Sequence, residues 1–446
     1  MLFSPLSRFG LAALALACCV PAQAAGVVGT GTAVSCTEAA LDAALAGGGT
    51  VTFNCGGAPV MLNLSTTKVL AADTTIDGSG NDIWLNGANT VRHFTMTAPV
   101  NFTLRQIGLT NGYTANEGGA IYAMGPSTLA LTRVKLNSNR ADGLGGGALF
   151  TTGGVTATLT QVDMIQNRGT TGAAIYTYNV NDALTLREVY AGDNMAANGG
   201  GAVRHRGRSL VIEASLFESN TATTLGATGG AVLAAPTAAG GSPVTIVNST
   251  FVENKAGGGA VGGAVSLDNA PGSTITNSTF ARNEGDGAIV VSGVSTLALK
   301  NTIVSASVGP NCNALGGATL TDSGNNLQFG GDTPLSCGAA VPDADPLLAA
   351  SAANNGGYTR TMALLAGSPA IDAGSACPAT DQRGYGRPTG PACDMGAFEA
   401  GAVLAGGGGG GSVAGVPALG PWGLPLLAVL VGALGLRQRR RVPGAY

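Results

Sequence analysis

The chain has 446 residues, 72 of them glycine, with 45% hydrophobic residues, 11% charged residues and a net charge of −3. A disordered chain would be more charged and less apolar, and collagen would need glycine at every third place, whereas glycine here clusters. Length and composition fit a large core assembled from many short strands joined by tight turns.

Residues 1–24 read as a signal peptide, with Arg8 as the only charge, an apolar run from Leu11 to Val20 and the cleavage site Ala22-Gln23-Ala24. Signal peptidase is therefore an expected partner and export the expected route. Cys18 and Cys19 leave with this segment, and six cysteines follow it. An even count in an exported chain points to disulfides, with 15 pairings open in principle. Clustering in sequence favours Cys36–Cys55, Cys312–Cys337 and Cys377–Cys393. With no C-x-x-C and only His93 and His205, neither a metal nor another cofactor is expected.

Residues 25–110 form the expected N-terminal cap and opening coils. Within them Thr74-Thr75-Ile76-Asp77-Gly78-Ser79-Gly80-Asn81 resembles the first coils of many extracellular parallel β-helices.

Residues 111–303 carry three markers in phase. A Gly-Gly-Ala-aliphatic element recurs at Gly118–Ile121, Gly146–Leu149, Gly200–Val203, Gly229–Val232 and Gly262–Val265, with variants at Ala173-Ala174-Ile175 and Gly287-Ala288-Ile289. Asn111, Asn139, Asn167, Asn194, Asn220, Asn254 and Asn283 keep the same beat, as does an aliphatic column from Leu104 through Leu131 and Leu159 to Leu299. The repeat is too short for a βαβ unit, and stretches such as Thr128-Leu129-Ala130-Leu131-Thr132 alternate with strand period. Each repeat is thus one coil of an all-β solenoid, a right-handed parallel β-helix of about eight to ten coils spaced ~4.8 Å apart. The Asn column is expected to mark a left-handed bend and to hydrogen-bond coil to coil through its side-chain amides, and Phe217, Phe251 and Phe280 to stack as an internal ladder. G-G-A-aliphatic with F-x-x-N resembles the polymorphic outer-membrane protein repeat. That family forms β-helical adhesin passengers followed by a C-terminal β-barrel, which is not expected here because a different tail follows.

Residues 304–400 lose the beat. Asp345-Pro346-Leu347-Leu348, Asn354-Asn355-Gly356-Gly357, Gly367–Gly374, Asp381-Gln382-Arg383-Gly384 and Cys393-Asp394-Met395-Gly396-Ala397-Phe398-Glu399 resemble the choice-of-anchor Q domain, expected here as a C-terminal capping region. Its aspartates lie beside Gly and Pro and read as turn formers.

Residues 401–415 are a Gly-rich linker, with six glycines from Gly406 to Gly411. Residues 416–446 join Val416, Pro417, Leu419, Trp422 and Gly423 to an apolar stretch, Leu424–Leu436, and to Arg437, Arg439, Arg440 and Arg441. This tail resembles the IPTL-CTERM sorting signal, with Val416 and Ala418 as mild departures. The resemblance implies an exosortase-type processing enzyme as partner, transient inner-membrane insertion through a short transmembrane helix and delivery to the cell surface. Loss of both ends removes five arginines, leaving 17 basic against 25 acidic residues, a net −8. Nucleic acid is thereby disfavoured as a partner.

No column stacks two carboxylates as a polysaccharide lyase or glycoside hydrolase would need. Catalytic residues are accordingly expected to be absent. One stripe invites a ligand. By alternation Tyr122, Phe150 and Tyr176 face outward on successive coils, followed by Arg204, Arg206 and Arg208. Aromatic faces beside guanidinium forks suit acidic glycans. The expected function is a non-catalytic adhesin that binds an acidic polysaccharide or a host or matrix surface; a lyase or hydrolase and a purely structural surface protein are the alternatives.

Overall fold

The computed structural model describes residues 26–404 except 98, 238–240, 258–261 and 334–335. The expected signal peptide and the sorting residues Val416, Pro417, Leu419, Trp422 and Gly423 lie outside the described residues.

Strand alternation puts every second side chain inside, and the chain satisfies it by winding into a parallel β-solenoid of about 11 turns. In one turn, Asn101–Arg105 lies on a first face, Gly108–Thr110 on a second, Tyr113–Thr114 at a corner and Ile121–Met124 on a third. Repetition builds ladders of 12, 11 and 10 strands on the three faces and six short strands at the corner. The aliphatic markers Leu104, Leu131, Leu159, Leu186 and Ile212 are successive partners on the first face, all buried. Each such side chain contributes about 1.5–3 kcal/mol relative to exposure, but only because the coils above and below cover it. The ladders also run past the last marker, through Cys312–Ala314, Thr319–Asp322 and Leu327–Phe329. Pairing needs strand geometry, not the marker residues, so the solenoid has more turns than the eight to ten that the markers count.

The asparagines bond coil to coil through their side-chain amides, as expected, but they are not themselves the left-handed residues. Asn139, Asn167, Asn194, Asn220, Asn254 and Asn283 are fully buried, and each side-chain amide of the first five donates to the next Oδ1 at 2.8–3.1 Å. Each Oδ1 from Asn167 onward also accepts the backbone N–H of the preceding ladder asparagine, as Asn194 does from Asn167 at 3.0 Å. The left-handed residue is instead the one before: Ser138, Gln166, Asp193, Ser219, Glu253 and Arg282 all have φ of 54–57°. Asn111 stands at that left-handed place, φ 52°, while Gly112 holds the ladder position and donates its N–H to Asn139 Oδ1 at 2.9 Å. The phenylalanine ladder forms as expected. Phe217, Phe251 and Phe280 stack with centroids 4.9 and 4.7 Å apart and nearly parallel rings.

The first end is closed by the helix Glu38–Leu45, capped by Thr37 and burying Leu41 in the core. Its Glu38 and Asp42 both meet Lys68 Nζ at 2.6 Å. All three expected disulfides are formed, with Cα–Cα distances of 5.7, 4.9 and 6.4 Å.

The C-terminal capping region reaches well beyond the last coil. It runs back along the outer side of the second face: Ser375 meets Asn301, Ala397 meets Thr279, Gln382 meets Thr250, and Tyr358 meets Gln161 and Asp163. A buried ionic knot holds it together. Arg383 pairs with Asp381 at 2.6 Å and lies 3.8 Å from the Phe398 ring centroid, and Arg387 pairs with Glu399 at 3.3 Å. Asp381 is a turn former, as expected, accepting from the N–H of Arg383 and of Tyr385, whereas Asp394 joins distant segments by accepting from those of Asp372 and Ala400.

Candidate ligand-binding face

The third face begins, in each coil, at the Gly-Gly-Ala turn. The first glycine is left-handed, with φ of 68° at Gly118 and 63° at Gly146. A Cβ on the second glycine, Gly119, would lie 2.3 Å from the Gly147 carbonyl oxygen of the next coil. The turn therefore packs too closely for any side chain. After it, Ile121, Leu149, Ile175 and Val203 point into the main core. Their neighbours Tyr122, Phe150, Tyr176 and Arg204 are consecutive partners on the opposite side of the sheet, outside that core cluster.

Outward parity does not make them all accessible. The Gly-Gly turns lie against this side of the sheet, and a Cβ on Gly118 would come within 3.2 Å of Phe150 Cβ. Phe150 is 3% exposed and Tyr176 4%. They form an aromatic bed: Tyr122 stacks on Phe150 at 5.5 Å, and Tyr176 meets Phe150 edge-on at 5.5 Å. The exposed ring is Tyr178, 39% accessible, which packs on both at 5.9 and 5.7 Å. Tyr178 follows Tyr176 by two residues, so the same alternation that picked out Tyr176 could have identified it.

The cations sit over these rings. Arg204 lies 5.7 Å from the Tyr176 centroid and Arg206 5.0 Å from that of Tyr178. Arg92, which had no sequence signal, lies 5.1 Å from Tyr122. Arg208 is exposed and donates to Thr156 Oγ1 at 3.2 Å. Burial lowers the Arg204 pKa, with the charge of Arg206 acting in the same direction, whereas hydrogen bonding to the Tyr176 phenol raises that of Arg206. Arg204 Nε has no partner among the described residues. The face thus gathers the guanidiniums of Arg92, Arg204 and Arg206 and two partly accessible phenols, while Arg208 reaches toward Thr156 on the first face.

The carboxylates of Glu117 and Asp268 lie near enough to this face to act on Arg92 and Arg204. Asp182 is buried and accepts from Thr151 Oγ1 and from the N–H groups of Gly154, Val155 and Asn179. His205 lies inside against Thr177 at 2.7 Å, and burial lowers its pKa to about 4. His93 is buried likewise, with its pKa lowered to about 4 by the same cause. Both imidazoles are neutral near pH 7.

A family model described as the IPTL-CTERM motif matches residues 414–441. The motif is a C-terminal sorting signal for exosortase-type processing and marks an exported, surface-sorted protein. No curated protein and no solved structure shows significant similarity to the chain. Among the described residues no helix is long and apolar enough to cross a membrane; Leu424–Leu436 lies outside them.

Proposed function

We propose that this surface-sorted solenoid is a non-catalytic adhesin or matrix protein that binds an acidic polysaccharide on its third face. The observation that carries the reading is Arg206 lying over the exposed Tyr178 ring, with exposed Arg208 two residues on. An aromatic face takes the apolar side of a sugar ring, and a guanidinium fork takes its carboxylate or sulfate through two parallel hydrogen bonds. Phe150 and Tyr176 serve as the rigid bed beneath. The net −8 expected of the processed chain opposes such a ligand at long range, so attraction is local and weakens with salt. Non-cleavage is supported by the occupied state of Asp182 and the buried state of both histidines.

The test is binding of polygalacturonate and chondroitin sulfate by the purified protein, beside an Arg206→Ala/Arg208→Ala variant. Binding that falls with salt and drops about tenfold or more in the variant supports the reading, on the scale of charge-assisted hydrogen bonds. Unchanged binding in the variant, or release of unsaturated or reducing sugar ends by the wild type, overturns it.

A further inference from the structure

A second concavity lies away from the third face. A groove of about 740 Å³ runs along the corner between the second face and the short corner ladder. One wall is the column Arg140, Arg168, Met195 and Thr221, successive partners on neighbouring coils. The other is the left-handed column Ser138, Gln166, Asp193 and Ser219. The floor holds Asn139 and Asn194, whose amides are consumed by the internal ladder.

The left-handed wall, by contrast, is unspent. The side chains of Ser138, Gln166, Asp193 and Ser219 make no hydrogen bond to another described residue, so donors and acceptors repeat along the groove at the ~4.8 Å coil spacing, close to the length of one pyranose unit. Arg140 and Arg168 are direct partners, and like charges in that position repel. Asp142 relieves Arg140 at 2.6 Å. Arg168 has no carboxylate partner among the described residues; its Nη1 touches only the Met195 sulfur, at 3.6 Å. One coil beyond Arg168 stands the carboxylate of Asp193. The groove therefore offers one free cation, then an anion, on adjacent coils.

We propose that this corner groove is a separate carbohydrate subsite for an oligosaccharide in which uronate and neutral sugars alternate. The chain lies along the solenoid axis. One carboxylate pairs with Arg168, and the neighbouring neutral sugar donates its hydroxyls to Asp193 and exchanges hydrogen bonds with Gln166 and Ser219. A chain charged at every residue is disfavoured, because its next carboxylate meets Asp193. The inference shares with the proposed function the premise that the protein binds acidic glycan, and it assigns a different site and a different charge pattern.

The experiment titrates the purified full chain with a hyaluronan hexasaccharide and, separately, an oligogalacturonate of equal length. Arg168→Ala should weaken hyaluronan binding about tenfold or more while leaving oligogalacturonate binding to the third face intact, the loss expected of one charge-assisted hydrogen bond. Asp193→Asn should narrow the preference for hyaluronan, a change that a merely structural role would not produce. Thermal melts equal to wild type show that both variants fold. No hyaluronan binding by the wild type, or unchanged affinity in a folded Arg168→Ala, overturns the groove. Loss of hyaluronan binding in Arg206→Ala/Arg208→Ala alone also overturns it and leaves the third-face reading standing. Loss in Arg168→Ala, with both glycans unaffected by the third-face variant, supports the groove and removes the third face.

Discussion

The phenol of Tyr358 donates to Asp163 at 3.2 Å across 195 residues of chain, and Asp163 is the direct strand partner of Lys135 in the preceding coil. The capping region thereby tethers itself to the middle of the solenoid. Burial pushes the Asp163 carboxyl up, while the Tyr358 hydrogen bond and the Lys135 charge pull it down. Lys135 itself reaches over the Trp84 ring at 5.5 Å. Alongside, Arg360 meets Glu218 and Tyr190. Tyr358→Phe combined with Arg360→Ala should free the 345–365 segment without unfolding the coils, each lost hydrogen bond costing about 0.5–3 kcal/mol. Hydrogen exchange should rise there and stay unchanged in the Phe217–Phe280 stack; equal acceleration in both would refute a separable tether.

The asparagine ladder should be intolerant of truncation. Asn220 donates to Ala191 O and Asn254 Oδ1, and accepts from Asn194, all within 3.1 Å and fully buried. Asn220→Ala orphans several buried groups at about 1–3 kcal/mol each. Ser219→Ala, on the exposed side of the same bend, should cost less than ~1 kcal/mol, because it removes no protein hydrogen bond. Denaturant midpoints of the two variants check the ordering.

The helical cap should weaken in acid. Burial raises the Glu38 pKa, but hydrogen bonds from Lys68, Ser65 and Thr66 outweigh it and hold the carboxyl down to about 2. A carboxyl depressed on folding adds stability that is complete above its ordinary value of 4.5 and is lost as pH falls toward 2. The stability difference between wild type and Glu38→Gln should therefore shrink across that window. A difference independent of pH between 5 and 2 would contradict the assignment.

Processing should depend on the sorting tail. With residues 414–441 matching a sorting signal, Trp422→Ala or replacement of Arg439, Arg440 and Arg441 should leave uncut protein in the inner membrane of the native host. Intact-mass measurement of surface-localised wild-type protein should show a chain that ends before Tyr446. Retention of Tyr446 at the surface would refute cleavage.

Much of the architecture was determined by sequence alone, because a solenoid's core is local in register. A side chain two places along a strand shares its face, and the same place in the next repeat becomes its partner. Leu131 over Leu159, Phe217 over Phe251 and Lys135 beside Asp163 all follow from period and alternation, and pairing by proximity yielded the three disulfides. Tertiary structure decided what no period encodes. The Gly-Gly turns bury Phe150 and Tyr176 and leave Tyr178 as the exposed ring, because glycine lets backbone lie directly on a sheet face. A capping region without periodicity folds back onto the second face, held by contacts such as Tyr358 to Asp163, 195 residues apart. Asn111 shows the boundary between the two: one residue out of step with the buried ladder, it bonds instead to Asn86, a geometric choice that the shared residue type conceals.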